Sequence, residues 1–148
     1  MIDVLCDAMK RSAPLLALFC LLSCSSERLQ EIAVSPRFKV WQQEAIVQAA
    51  EEWFTRAPER RVPILISESR GRGSVSPVSC EENEPAGTTV GVYMEICDGG
   101  LFAFTKAVAK HEIGHALGAH HLPPGNVMQE TLGNYNQEIT DLDLTSIQ

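Results

Sequence analysis

All four histidines of the 148-residue chain fall within eleven residues. The segment reads His111-Glu112-Ile113-Gly114-His115-Ala116-Leu117-Gly118-Ala119-His120-His121. On a helix, residues four apart share one face, one turn apart, so the imidazoles of His111 and His115 can reach the same point. Glu112 lies about 100° further round, close enough to reach a water held at that point. Gly118 permits a backbone conformation closed to other residues, so the chain can leave the helix sharply and bring His121 back as a third nitrogen. Three neutral imidazoles around one ion leave a fourth position open, which is the coordination of a catalytic zinc rather than a structural one. His120 stands beside the third nitrogen but outside this spacing. It is read as solvent-facing or as a neighbour of the ligands, with His121 preferred to it as the third ligand. The competing reading is ordinary surface or core histidines, and four at ligand spacing weigh against it.

The elements that must carry these residues are partly legible. The stretch from about Phe102 to Leu117 reads as the histidine helix, stopped by Gly118. Upstream, Ser35-Pro36 reads as an N-cap followed by Pro at the first helical position, opening a helix of about 20 residues. Its stripe is Ile46, Val47, Ala50, Trp53, Phe54 and Ala57, and Pro58 ends it. Val62 to Ser67 reads as a strand, Gly71 to Gly87 mostly as loop with room for one short strand, and Thr88 to Cys97 as another strand. Thr140 is the expected N-cap of a short C-terminal helix, with Asp143 at its third position.

The amino-terminal residues read as an address. Lys10 and Arg11 precede an apolar stretch from Pro14 to Leu22, the order of a secretory signal. Leu21-Leu22-Ser23-Cys24 resembles the lipobox of a bacterial lipoprotein, in which Cys24 becomes the lipidated first residue. The expected division is therefore a signal over 1–23, a polar tether over 24–35 and one domain over 36–148. Plain secretion is the alternative. Met9 makes a better start than Met1, because Asp3 and Asp7 suit the front of a signal poorly. With Cys6 and Cys20 in the signal and Cys24 lipidated, Cys80 and Cys97 remain as an even pair. Joined, they would close a loop worth about 3 kcal/mol in the chain-entropy account; the other reading is two free thiols. The net charge of −7 gives no footprint for a phosphate backbone, so no nucleic-acid partner is expected.

The run His111, Glu112, His115, Gly118 and His121 is similar to the HExxHxxGxxH signature of the metzincin metallopeptidases. Met128, seven residues after His121, resembles the methionine of the Met-turn that lies beneath the metal in that family. The helix ending near Trp53, the strand after it and the tail Ile139-Thr140-Asp141-Leu142-Asp143 resemble matrixin-like domains. The resemblance implies an α+β fold: a short twisted mixed sheet with an opening helix, an active-site helix and a short C-terminal helix. It implies one catalytic zinc on His111, His115 and His121, and Glu112 as general base of a zinc endopeptidase acting on peptides or proteins. It also implies an edge strand, between Gly73 and Val92, along which substrate lies extended. The alternatives are a degenerate zinc-binding module that recognises peptides on the cell envelope, and a protein that sequesters zinc.

Leu122, the lack of Pro after the Met-turn and the lack of Tyr two residues past Met128 depart from the better-known subfamilies. Neither Tyr93 nor Tyr135 has the offset of an oxyanion donor. The acidic loops that hold calcium in matrixins are missing, and calcium binding is left open. A monomer is expected, anchored through the Cys24 lipid to the bacterial envelope, at the outer membrane, or else secreted.

Overall fold

The computed structural model describes residues 28–68, 73–81, 84–131 and 135–147. The signal over 1–23, the alternative start at Met9 and the lipidation site Cys24 lie outside the described residues.

Among the described residues the chain is α+β, with a five-stranded mixed sheet and three α-helices. The strands are β1 (Ile32–Val34), β2 (Ile64–Ile66), β3 (Ser74–Val78), β4 (Gly87–Val90) and β5 (Tyr93–Cys97), in the spatial order β2-β1-β3-β5-β4. All neighbours are parallel except β4, which runs antiparallel to β5 along one edge. The helices are α1 (Val40–Arg56), α2 (Phe102–Ala116) and α3 (Asp141–Thr145).

The pattern along β5 shows how the sheet is covered. Met94 and Ile96 are buried, while Tyr93 and Glu95, which alternate with them, are exposed. Along β5 one face thus carries the helices and the other meets solvent. The core joins Ile32, Val34, Val75, Met94 and Ile96 of the sheet to Ile46, Trp53 and Phe54 of α1 and to Val108 and Ile113 of α2. The Trp53 indole N–H, fully buried, donates to the Lys110 carbonyl at 2.8 Å and so ties the two long helices together. No helix among the described residues is long and apolar enough to cross a membrane.

Three expectations are corrected. The tether ends earlier than expected, because Ile32–Val34 is a fully buried strand between β2 and β3. Its three apolar residues are flanked by polar ones, which hides it in the sequence. Helix α1 starts at Val40 rather than at Pro36. Ser35-Pro36 instead opens a turn: the Phe38 N–H donates to the Ser35 carbonyl at 3.2 Å, and Pro36 sits where a turn prefers its fixed φ. Burial of the Phe38 ring seals that turn, and the Gln42 side chain accepts from the Lys39 N–H at the true helix start.

The region from Thr88 to Cys97 is a hairpin, not one strand. Val90 pairs with Tyr93 across a two-residue turn, and Gly91 takes the positive φ of 63° needed at its first position. The short strand for which Gly71–Gly87 left room is β3, which lies inside the sheet despite Pro77. Its pairing with β1 stops at Val75, so Pro77 owes no hydrogen bond on that side.

Cys80 and Cys97 are joined in a disulfide with a Cα–Cα distance of 5.5 Å. The bond ties the residues just after β3 to the end of β5 and encloses β4 in the loop.

Candidate metal centre

Helix α2 brings His111 and His115 onto one face, and its end brings His121 to them. The C-cap is a Schellman motif: the Gly118 N–H donates to the His115 carbonyl and the Ala119 N–H to the Gly114 carbonyl, both at 2.9 Å. Gly118 holds φ at 100°, in the region that favours glycine. The chain therefore reverses within one residue, and His121 arrives beside His115.

The His115 Nε2 atom lies 3.0 Å from His111 Nε2 and 3.1 Å from His121 Nε2. Among the described residues these three form the one group of three or more donor side chains able to share an ion. Protons can be assigned from the other ring nitrogens. His111 Nδ1 lies 2.9 Å from the Val127 carbonyl, and His115 Nδ1 lies 2.9 Å from the Ala119 carbonyl. A carbonyl only accepts, so each Nδ1 carries the proton. In the neutral rings both Nε2 atoms then present bare lone pairs to each other. Two lone pairs at that distance repel, and a cation between them removes the conflict. Nitrogens about 2.0–2.1 Å from a tetrahedral ion stand about 3.3 Å apart, close to the spacing seen. Burial lowers the pKa of both His111 and His115, against the pull of their carbonyl partners, and so favours the neutral, ligating form. An all-imidazole set suits a transition metal rather than calcium or magnesium, which take oxygen ligands. The donor set fits a metal. His120 is exposed and outside this group, as its offset from the pattern implies.

Beneath the rings runs a second line of support. Met128 is fully buried and packs against Gly114, where an added Cβ would overlap its sulfur and come within 2.9 Å of the Trp53 ring. The Val127 carbonyl that orients His111 belongs to a peptide segment held by Asp143. This carboxylate, fully buried, accepts from the Val127 N–H at 3.2 Å, the Met128 N–H at 3.0 Å and the Thr140 N–H at 2.7 Å. The Asn126 side chain adds to the clamp by donating to the Pro123 carbonyl and accepting from the Thr140 hydroxyl. Thr140 caps α3 as its sequence suggests, but the same Asp143 also reaches back to the turn under the histidines. That second task has no local signature. Gly114 did carry one, since a glycine inside a helix costs about 1 kcal/mol relative to alanine and so asks for a packing reason.

Glu112 is 5% exposed and turns its carboxylate toward β4. Burial pushes its pKa up, while the Thr89 hydroxyl and the nearby His115 and His121 pull it down. A cleft of about 490 Å³ opens here, with Gly87, Thr89, His111, His121 and Glu130 among its walls. Neither Tyr93 nor Tyr135 lines it. Tyr93 lies on the outer face of the sheet, and Tyr135 packs edge-on against Phe104 at 5.6 Å. Compared with family models and with curated protein sequences, the chain matches none.

Proposed function

We propose that the chain is a zinc-dependent endopeptidase of metzincin type, with His111, His115 and His121 as ligands and Glu112 as general base. The observation that carries this reading is the juxtaposition in one cleft of three convergent Nε2 atoms and a carboxylate that is not needed as a ligand. A pure binding site has no use for the carboxylate. Zinc, when bound, supplies Lewis acidity that acidifies a water and polarises the scissile carbonyl.

The protein's own groups do the rest. The Nδ1 contacts of His111 and His115 with backbone carbonyls hold their Nε2 atoms together and would leave them free to ligate the ion. Glu112 takes the proton of the attacking water and delivers it to the departing amine. Among the described residues strand β4 has β5 on one side only, so its free edge can pair with an extended peptide beside Glu112. The Met128 turn, packed on Gly114, would support the histidine helix that holds the metal, as the family resemblance implies. The lipid anchor at Cys24 belongs to the same proposal. Its check is metabolic labelling with a fatty-acid analogue, which Cys24→Ala should abolish.

The test of function is metal analysis followed by cleavage of a broad peptide library by the zinc-loaded protein. About one zinc per chain and measurable hydrolysis are expected. A protein that binds no zinc after loading sinks the reading. One that binds zinc yet cleaves nothing leaves the peptide-recognition module as the better account.

A further inference from the structure

We propose that Gly87 and Thr89, on the inward face of edge strand β4, are positioning residues that set the Glu112 carboxylate for proton transfer. The inference rests on the peptidase reading above and concerns the residues that make its base effective.

Residues 87 and 89 alternate with the outward-facing Thr88 and Val90, so both look toward α2. The Thr89 hydroxyl lies 2.6 Å from Glu112 Oε2 and 3.2 Å from the Glu112 carbonyl. A hydroxyl has one proton to give, and the shorter, charge-assisted bond to the carboxylate takes it. This fixes one oxygen and leaves Oε1 as the one that takes and returns a proton. Gly87 sets the other side. A Cβ there would stand 2.7 Å from Oε1, 2.8 Å from the Glu112 Cγ and 2.7 Å from the Val108 Cγ1. All three atoms are too close for a real Cβ, so only glycine leaves the carboxylate where it is. One strand thus presents a hydroxyl and a gap, two residues apart, to the two oxygens of one buried acid. The same strand offers the free edge for a peptide, so a substrate paired with β4 is held in register with the base by a single rigid element.

The test compares Thr89→Val, Thr89→Ser and Gly87→Ala with the parent, all zinc-loaded, on a quenched fluorescent peptide that the parent cleaves. Thr89→Val is expected to lower kcat by about tenfold or more, since small misplacements of a reacting group cost up to about 10²-fold. Its KM should stay within about twofold of the parent, and its zinc content should be unchanged. Thr89→Ser keeps the hydroxyl and should recover most of kcat, while Gly87→Ala should lower kcat like the valine variant. In a Glu112→Gln background Thr89→Val should cost nothing further.

An unchanged kcat in Thr89→Val, or a change confined to KM, overturns the inference and leaves the peptidase reading standing. A parent that holds zinc and cleaves nothing overturns that reading instead. The contact is then decided by melting temperature: Thr89→Val must lower Tm in the parent but not in Glu112→Ala. Equal losses in both backgrounds overturn it.

Discussion

The cleft has two walls, and they are built in opposite ways. The wall that holds the histidines is made of sequence-local devices stacked on one another: the i, i+4 spacing on α2, the Gly118 reversal and the Met128 turn. The wall that faces Glu112 is a four-residue strand reached only through the fold, and its two working positions are a glycine and a threonine. The first wall gathers the three nitrogens that could hold a metal. The second fixes where a carboxylate sits. The difference teaches that ligand geometry can be encoded in a short motif, whereas the environment of a base is assembled from distant segments.

The sharpest way to separate the walls is Glu112→Gln. It keeps volume and hydrogen bonding but removes the base, so hydrolysis should fall by about 10² to 10⁴-fold with zinc content and Tm nearly unchanged. Unchanged hydrolysis in a peptide assay would show that the activity lies elsewhere. Asp143→Ala attacks the histidine wall from behind. It leaves the buried N–H groups of Val127 and Met128 without their acceptor, at a cost of about 4 kcal/mol in urea unfolding, and it should weaken zinc binding by freeing the carbonyl that orients His111. Full zinc affinity in a destabilised variant would mean that the carbonyl does not need this support.

Removing the disulfide with Cys80→Ser and Cys97→Ser together loosens the other wall. Stability should drop by about 2 to 3 kcal/mol while one zinc per chain remains. Loss of zinc in that variant would erase the distinction between the walls.

The smallest expected effect is a pH dependence of the metal-free chain. The folded pKa values of His111 and His115 lie below the ordinary 6.5. As pH falls below 6.5 the unfolded chain binds protons first, so stability falls until the folded values are passed and the loss is complete. Glu112, raised above 4.5, has the opposite sign: its ionisation costs stability as pH rises through that window. Tm in chelator is therefore best followed from pH 7 to 5 in Glu112→Gln, where only the histidine loss remains. A flat or rising Tm on acidification would contradict the assignment.

The same contrast explains what was legible in advance. The three histidines, Glu112, the glycine at the reversal and the buried methionine stand in a pattern whose chemistry is local, and the disulfide pair follows from the cysteine count. The α3 cap was readable because Thr140 and Asp143 are three residues apart, but the reach of Asp143 to Val127 spans sixteen residues and leaves no periodic trace. Strand β1 is too short for alternation to register, and β3 carries serines and a proline that normally signal loop. Thr89 looks like any β-branched strand residue. Only the fold shows that it faces Glu112.

The buried Asp143 also sets an order of events in time. The ribosome releases all three histidines, the reversal and the methionine before it releases the acid that fixes the Val127 carbonyl. A chain that stops short of residue 143, whether still being synthesised or nicked by a protease, carries all three histidines but lacks the peg that orients His111. Such a fragment should hold metal loosely if at all. The histidine cluster is thus complete only late in synthesis, after the sheet and both long helices have emerged, and on the proposed reading activity would wait for that one carboxylate.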